Sequence, residues 1–166
     1  MASIQQAGIA KNIYGMQPTS LPFPEVANLN QPPGVFVKRV ATPAGFIDVI
    51  GVDDADLLGM LIEKSKNSSA GGGSGAPSSL VIPFTEANLV AMSIGGTDSI
   101  ASADLGARYG ITTSGTGDNV KYVVDKTDTV NIRVKIVEFL DPVGEVNGRV
   151  LCSVLPANRQ FTRDTV

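Results

Sequence analysis

Along residues 129–141, TVNIRVKIVEFLD, apolar and polar side chains alternate. Val130, Ile132, Val134 and Ile136 fall on one face, and Asn131, Arg133 and Lys135 fall on the other. A period of two is the pattern of a strand with one face on a core and one in water. At Val137 the phase slips, because Val137 and Phe139 take the face that was polar. That calls for a bulge, or for cover over the second face. Asp141-Pro142-Val143-Gly144 and then Asn147-Gly148 carry turn chemistry, and RVLCSVL (149–155) returns as a second strand. The segment reads as a hairpin.

Other runs extend the β pattern. GVFVKRV (34–40) and AGFIDVIGV (44–52) are short apolar or alternating stretches separated by Ala41-Thr42-Pro43, and SLVIPF (79–84), NLVAMSI (88–94) and KYVVD (121–125) are further strands. Residues 99–111 fit a short helical turn or a strand edge, 112–119 read as a loop, and no internal repeat occurs. DDADLLGMLIEKSK (53–66) differs. Asp53 or Asp54 can cap a helix, Leu57, Leu58, Leu61 and Ile62 form a stripe, and Lys64 and Lys66 suit its far end. One short helix is expected near 53–64, weakened by Gly59. Residues 67–79, NSSAGGGSGAPSS, have the composition of a flexible loop, a tether or surface loop with no ligand, in which replacing Gly71 to Gly75 by serine is expected to leave partner binding almost unchanged. The fold class is therefore mainly β: a small sandwich or barrel with one short helix and an extended N-terminal arm.

That arm, residues 1–33, precedes a body at 34–166. Residues 1–34 carry only Lys11 and Glu25 as charges, yet hold five of the ten prolines, at 18, 22, 24, 32 and 33. Proline fixes φ and removes a donor, so the stretch is neither helix nor central strand. It is also too apolar to leave in water. An extended arm laid on a partner satisfies both facts, and so does one that wraps its own domain. On the first reading the partner-binding side chains are Ile13, Tyr14, Met16, Leu21, Phe23, Val26 and Leu29, irregularly spaced as separate pockets would require. On that reading, too, a chain starting at Gly34 should still fold.

Composition narrows the function. A chain of 166 residues fits one domain, which at this size buries about 70% of its unfolded surface. Charged residues make up 17% and the net charge is −3, with 13 basic residues scattered rather than striped, so no nucleic-acid partner is expected. No apolar run approaches the roughly 18 residues of a membrane span, and no basic-then-apolar leader is read at the start.

Candidate chemistry is sparse. There is no histidine and a single cysteine, Cys152, which reads as a buried residue on the face of Val150 and Val154. Gly71 to Ala76 formally matches G-x-G-x-x-A, but a Lys/Ser-rich tail precedes it and Pro77 follows, where a nucleotide loop needs a strand and a helix. Asp53, Asp54 and Asp56 lack the spacing of a calcium loop. Asn67-Ser68-Ser69 matches a glycosylation acceptor without a secretory context. No cofactor, no metal and no catalytic residues are expected. An enzyme built on scattered carboxylates is the rival to a binding role.

A polar, proline-rich arm, MASIQQAGIAKNIYGMQPTSLPFPEVANLNQPPG, leads into a β-rich body ending in YGITTSGTGDNVKYVVDKTDTVNIRVKIVEFLDPVGEVNGRVLCSVLP. This layout resembles the small capsid decoration, or cement, proteins of tailed bacteriophages. The resemblance implies a structural virion protein, made in the host cytoplasm, that sits on the outer capsid surface. There it would staple neighbouring major capsid protein subunits, often as a homotrimer. A receptor- or glycan-binding module on the virion surface, such as a head fibre base using loop 112–119, is the alternative.

Overall fold

A computed structural model describes residues 4, 7–14 and 16–160. Eleven strands follow one another: β1 (Gly8–Asn12), β2 (Leu21–Pro24), β3 (Phe36–Arg39), β4 (Ile47–Val49), β5 (Gly59–Leu61), β6 (Ser78–Pro83), β7 (Asn88–Ile94), β8 (Arg108–Ser114), β9 (Lys121–Asp125), β10 (Val134–Phe139) and β11 (Arg149–Val154). Single 3₁₀ turns at Ser102–Asp104, Gly117–Asn119 and Pro156–Asn158 are the helical elements among the described residues.

The strands form two sheets. The first has the order β1-β7-β11-β10-β8-β9, and β7 also pairs in parallel with β9 through Ser93↔Val123 and Ile94↔Val124. That pairing closes β7, β11, β10, β8 and β9 into a five-stranded barrel. On the same edge of β7, β1 covers the first half, with Gly8 opposite Ala91 and Asn12 opposite Asn88. The second sheet runs β2-β6-β5-β3-β4 and curls, so that Glu25 bridges Ile47 and the Val26 amide donates to Ile47 O at 3.1 Å. The end of β2 thereby meets the otherwise open edge of β4.

One core serves both sheets. Phe36 of β3 stacks on Tyr122 of β9 with ring centroids 4.7 Å apart, and meets Phe84 edge-on at 4.9 Å. The buried Tyr122 hydroxyl donates to Ile50 O at 2.8 Å. Arg133, buried beside β10, donates to the carbonyls of Asp54 (2.6 Å) and Asp53 (2.8 Å). Asn158 donates to Ala55 O at 2.8 Å, and the Leu57 amide donates back to Asn158 O at 2.7 Å.

Those clamps overturn the helix expected near 53–64. The backbone there is a turn and a bend leading into a strand, the carbonyls of Asp53, Asp54 and Ala55 are taken by Arg133 and Asn158, and Gly59–Leu61 is the central strand β5. Leu57, Leu58, Met60 and Leu61 are all buried, which is a strand covered on both faces rather than a helix stripe. Gly59 is needed, since a Cβ there would lie 2.6 Å from Val81 Cγ1 and closer still to the Ile82 carbonyl.

The opening alternation needs a smaller correction. Strand β10 begins at Val134, not Thr129, and Val130 is 86% exposed. Asp128 accepts the amides of Val130 (3.0 Å) and Asn131 (2.8 Å), which draws the chain out of the ladder. The slip at Val137 is a bulge, with the register shifting between Ile136 and Glu138. The β10–β11 hairpin forms as read, and the faces of Val134, Ile136, Val150, Cys152 and Val154 are buried.

Residues 67–77 form a surface loop, and it is bonded to the segment before Gly34. The amides of Asn28 and Gly72 donate to Ser68 O (2.9 Å) and Glu25 O (2.8 Å), and the Asn67 amide donates to Leu29 O at 3.1 Å. A Cβ on Gly71 would sit 2.5 Å from the Val26 carbonyl carbon and 2.7 Å from Ala27 Cα. Glycine at 71 serves a close backbone approach, which a serine Cβ would have to displace.

Candidate docking surface

The seven side chains singled out between residues 13 and 29 divide into two groups. Leu29 is buried in the core, with Phe23 and Val26 packed against it. The Arg39 guanidinium also lies 6.0 Å above the Phe23 ring. Ile13, Tyr14 and Met16 point outward, at 50%, 61% and 63% exposure. Leu21, on the edge strand β2, stands between the groups. The structure thus brings Tyr14, Met16 and Leu21 to one place and takes Phe23, Val26 and Leu29 elsewhere.

The inner group is fixed by more than apolar contact. Glu25 is buried, and its carboxylate accepts the Lys66 amide at 2.9 and 3.0 Å and the Ser79 hydroxyl. The Gln31 amide donates to Ser65 Oγ at 2.6 Å, and that hydroxyl donates to Leu29 O at 2.7 Å. Residues 25–31 are zipped to 65–72. A chain starting at Gly34, expected from the sequence to fold, would lack β2, the Glu25–Ile47 bridge and the buried Leu29.

Tyr14 and Met16 of the outer group, with Leu21, border an open groove of about 750 Å³. It is lined by Asn12, Tyr14, Met16 and Leu21, by Pro83 and Thr85 to Asn88, and by Pro156 and Arg159. Local bonds set the part of the lining at 12–14. The Ile13 amide donates to Ala87 O at 2.9 Å, and the Asn12 side-chain amide donates to Asn88 Oδ1 at 2.8 Å. The Tyr14 amide then turns back onto Asn12 Oδ1 at 3.0 Å, which holds the phenol outward. The groove has two charges, Glu86 and Arg159. Burial lowers the Arg159 pKa, against the opposing field of Glu86, and its Nε donates to Val154 O at 2.8 Å. Apolar side chains interleaved with amides and hydroxyls suit an extended peptide, which presents apolar groups and backbone donors in alternation.

A second polar cluster lies away from the groove and was not foreseen. Asp104 is buried and accepts from Tyr109 Oη (2.6 Å), Lys126 Nζ (2.9 Å) and the Ala101 amide (2.8 Å). Burial alone would raise its carboxyl, but those three donors outweigh it and hold the pKa below the usual value. Burial and then the Asp104 charge push the Tyr109 phenol up to about 12. Each group is satisfied by another, so the cluster pins the 3₁₀ turn at 102–104 to β8 and the end of β9. Its sequence signal, three residues spread over 22 positions, is not readable before folding.

Among the described residues no group of three metal-ligating side chains comes together. Cys152 is buried, and burial raises its thiol pKa well above the ordinary value. No protein-family model, no curated protein and no solved structure matches the chain.

Proposed function

We propose that this protein is a structural virion protein that binds the outside of an assembled phage capsid and staples neighbouring major capsid protein subunits. It would act there as a homotrimer, by binding rather than by catalysis. The resemblance in layout gives the class of partner. The observation that supports a docking role is the presentation of Ile13, Tyr14 and Met16, three large apolar side chains in four positions, half or more exposed beside a groove. Clustered exposed apolar groups mark interaction surfaces on soluble domains. The anchors are then narrower than the arm as a whole: Ile13, Tyr14 and Met16 with Leu21 at the groove, while Phe23, Val26 and Leu29 stay inside.

Replacing Ile13, Tyr14 and Met16 together by serine tests the reading, because none of the three is buried and the fold should persist. Covering the exposed part of each is worth about 1 kcal/mol, or roughly a fivefold change in affinity per contact. Many copies on one lattice multiply the effect. The altered chain, added to heads assembled without it, should fail to stay bound under washing that retains the unaltered chain. Equal retention of both would remove the docking surface. Retention of neither would remove the capsid as partner.

A further inference from the structure

We infer that Arg108 and Lys135 are a docking point for carboxylates of the protein partner, on an acidic stretch that continues from the apolar part seated in the groove. The inference rests on the docking role proposed above and names the chemistry of what docks. Every other basic side chain that the structure describes has a partner. Lys38, Lys64, Lys66, Lys126 and Arg149 sit in ion pairs. Lys121, Arg133 and Arg159 donate to backbone carbonyls, and Arg39 lies over the Phe23 ring. Arg108 and Lys135 are left over, with no partner among the described residues. The two stand directly opposite each other on the antiparallel strands β8 and β10. Both are exposed, and opposed residues share one face of a sheet. Like charges so placed repel and cost stability, so the fold alone gives no reason for the pairing.

The pair lies within reach of the groove. On its other side Lys135 is opposite Ser153 of β11, and Arg159 Nη2 donates to Ser153 Oγ at 3.4 Å. Arg159 lines the groove, where the charge of Glu86 already acts on it. A row of Arg159, Ser153, Lys135 and Arg108 thus runs from the groove onto the outer face of the barrel. Strand spacing puts Lys135 about 5 Å and Arg108 about 10 Å from Ser153, which about three extended residues span. A segment with apolar side chains against Tyr14, Met16 and Leu21, and two carboxylates a few residues further on, meets both features at once. A carboxylate between the two cations also offsets their repulsion, a gain that only the bound state has. Nucleic acid fits the row poorly. Two cations on a chain of net charge −3 fall short of the clustered Lys and Arg that a phosphate backbone needs.

Hexaglutamate, titrated into the full-length protein at low salt and followed by NMR, is a probe that needs no capsid. The resonances of Arg108 and Lys135 should shift first, and hexaglutamine should leave them in place. Arg108→Gln with Lys135→Gln should weaken the response about fivefold, the loss of two exposed ion pairs. The urea midpoint of that double variant should match or exceed the unaltered one, because a repulsion is removed. A lowered midpoint would overturn the inference, since the cations would then serve the fold. So would shifts of equal size at Lys38 and Lys64, or a DNA oligonucleotide that displaces hexaglutamate, which would make phosphate the ligand. On heads assembled without the protein, the double variant should wash off at lower salt than the unaltered chain. Equal salt resistance of the two would overturn the assignment to the partner. Loss of the unaltered chain from heads, with the hexaglutamate response intact, would remove the capsid and support the carboxylate site without it.

Discussion

Replacing Glu25 with alanine removes the acceptor that ties the proline-rich segment to the body. The Lys66 amide, now bonded at 2.9 and 3.0 Å, and the Ser79 hydroxyl lose their partner together in a buried site. An unsatisfied buried donor costs about 1–3 kcal/mol, and the carboxylate no longer has to be desolvated, so a net loss of about 2–4 kcal/mol is expected. For a domain of this size a urea slope of about 2 kcal/mol per molar converts that into a midpoint lowered by roughly 1–2 M. Ser79→Ala alone leaves the carboxylate on the Lys66 amide and should cost less. The double substitution should cost less than the sum, with a coupling of about 1 kcal/mol or more. Urea titrations followed by circular dichroism measure all three. A Glu25→Ala midpoint within error of the unaltered chain, with no coupling to Ser79, would refute the claim that residues 21–31 are part of the body.

Gly71→Ala should cost about 1–3 kcal/mol by forcing a methyl group into the Val26–Ala27 backbone, while Gly73→Ser, with only Ala70 O near at 3.7 Å, should shift the melting temperature little. Cys152, buried with its thiol pKa raised, should react with thiol reagents only after denaturation, and rapid labelling of the native chain would put β11 the other way round. The Asp104–Tyr109 pair bounds stability on both sides. The depressed Asp104 carboxyl contributes stability that is present above the ordinary carboxylate range and lost as pH falls through the folded value. The raised Tyr109 phenol contributes stability that is full below its ordinary value of 10.0 and lost as pH rises toward about 12. Tyr109→Phe should therefore move acid unfolding to higher pH, and an unchanged acid limb would mean the 2.6 Å bond does not hold the carboxyl down.

How far the chain could be read follows from where each strand's partners lie. Asn88–Ile94, Lys121–Asp125 and Arg149–Val154 match the strands expected, because β-branched runs bounded by turn residues leave few other solutions. Residues 57–62 were ambiguous for a physical reason. A strand buried on both faces and a helix stripe both place apolar groups at 57, 58 and 61, and Ile62, which is exposed, lies past the end of β5. What decides between them is the Ile82 carbonyl lying over Gly59, a contact across 23 positions. The prolines were read correctly as barring a central strand. Pro22 and Pro24 indeed lie on β2, an edge strand opposite Leu80 and Ser78, but the edge they would join is invisible locally. Half of the candidate surface was legible as apolar excess at 13–16. The lining at Pro83 to Asn88 reads only as a break between two strands.

The split of the early segment into buried and exposed parts gives the docking reading its physical sense. Strand β1 is paired to the barrel through β7, and β2 is paired to the second sheet through β6. The described residues between them, 13–14 and 16–20, are anchored at both ends, and the Ile13 and Tyr14 amides are bonded as well. An arm hanging free from Gly34 would lose the freedom of more than thirty residues on docking, at about 1 kcal/mol or more each. A short stretch held between two strands has lost most of that freedom on folding. Its three apolar side chains then need only modest burial to give useful affinity. The buried Glu25, the packed Gly71 and the exposed Tyr14 are in this sense one arrangement, with the inner contacts fixing the outer ones in place.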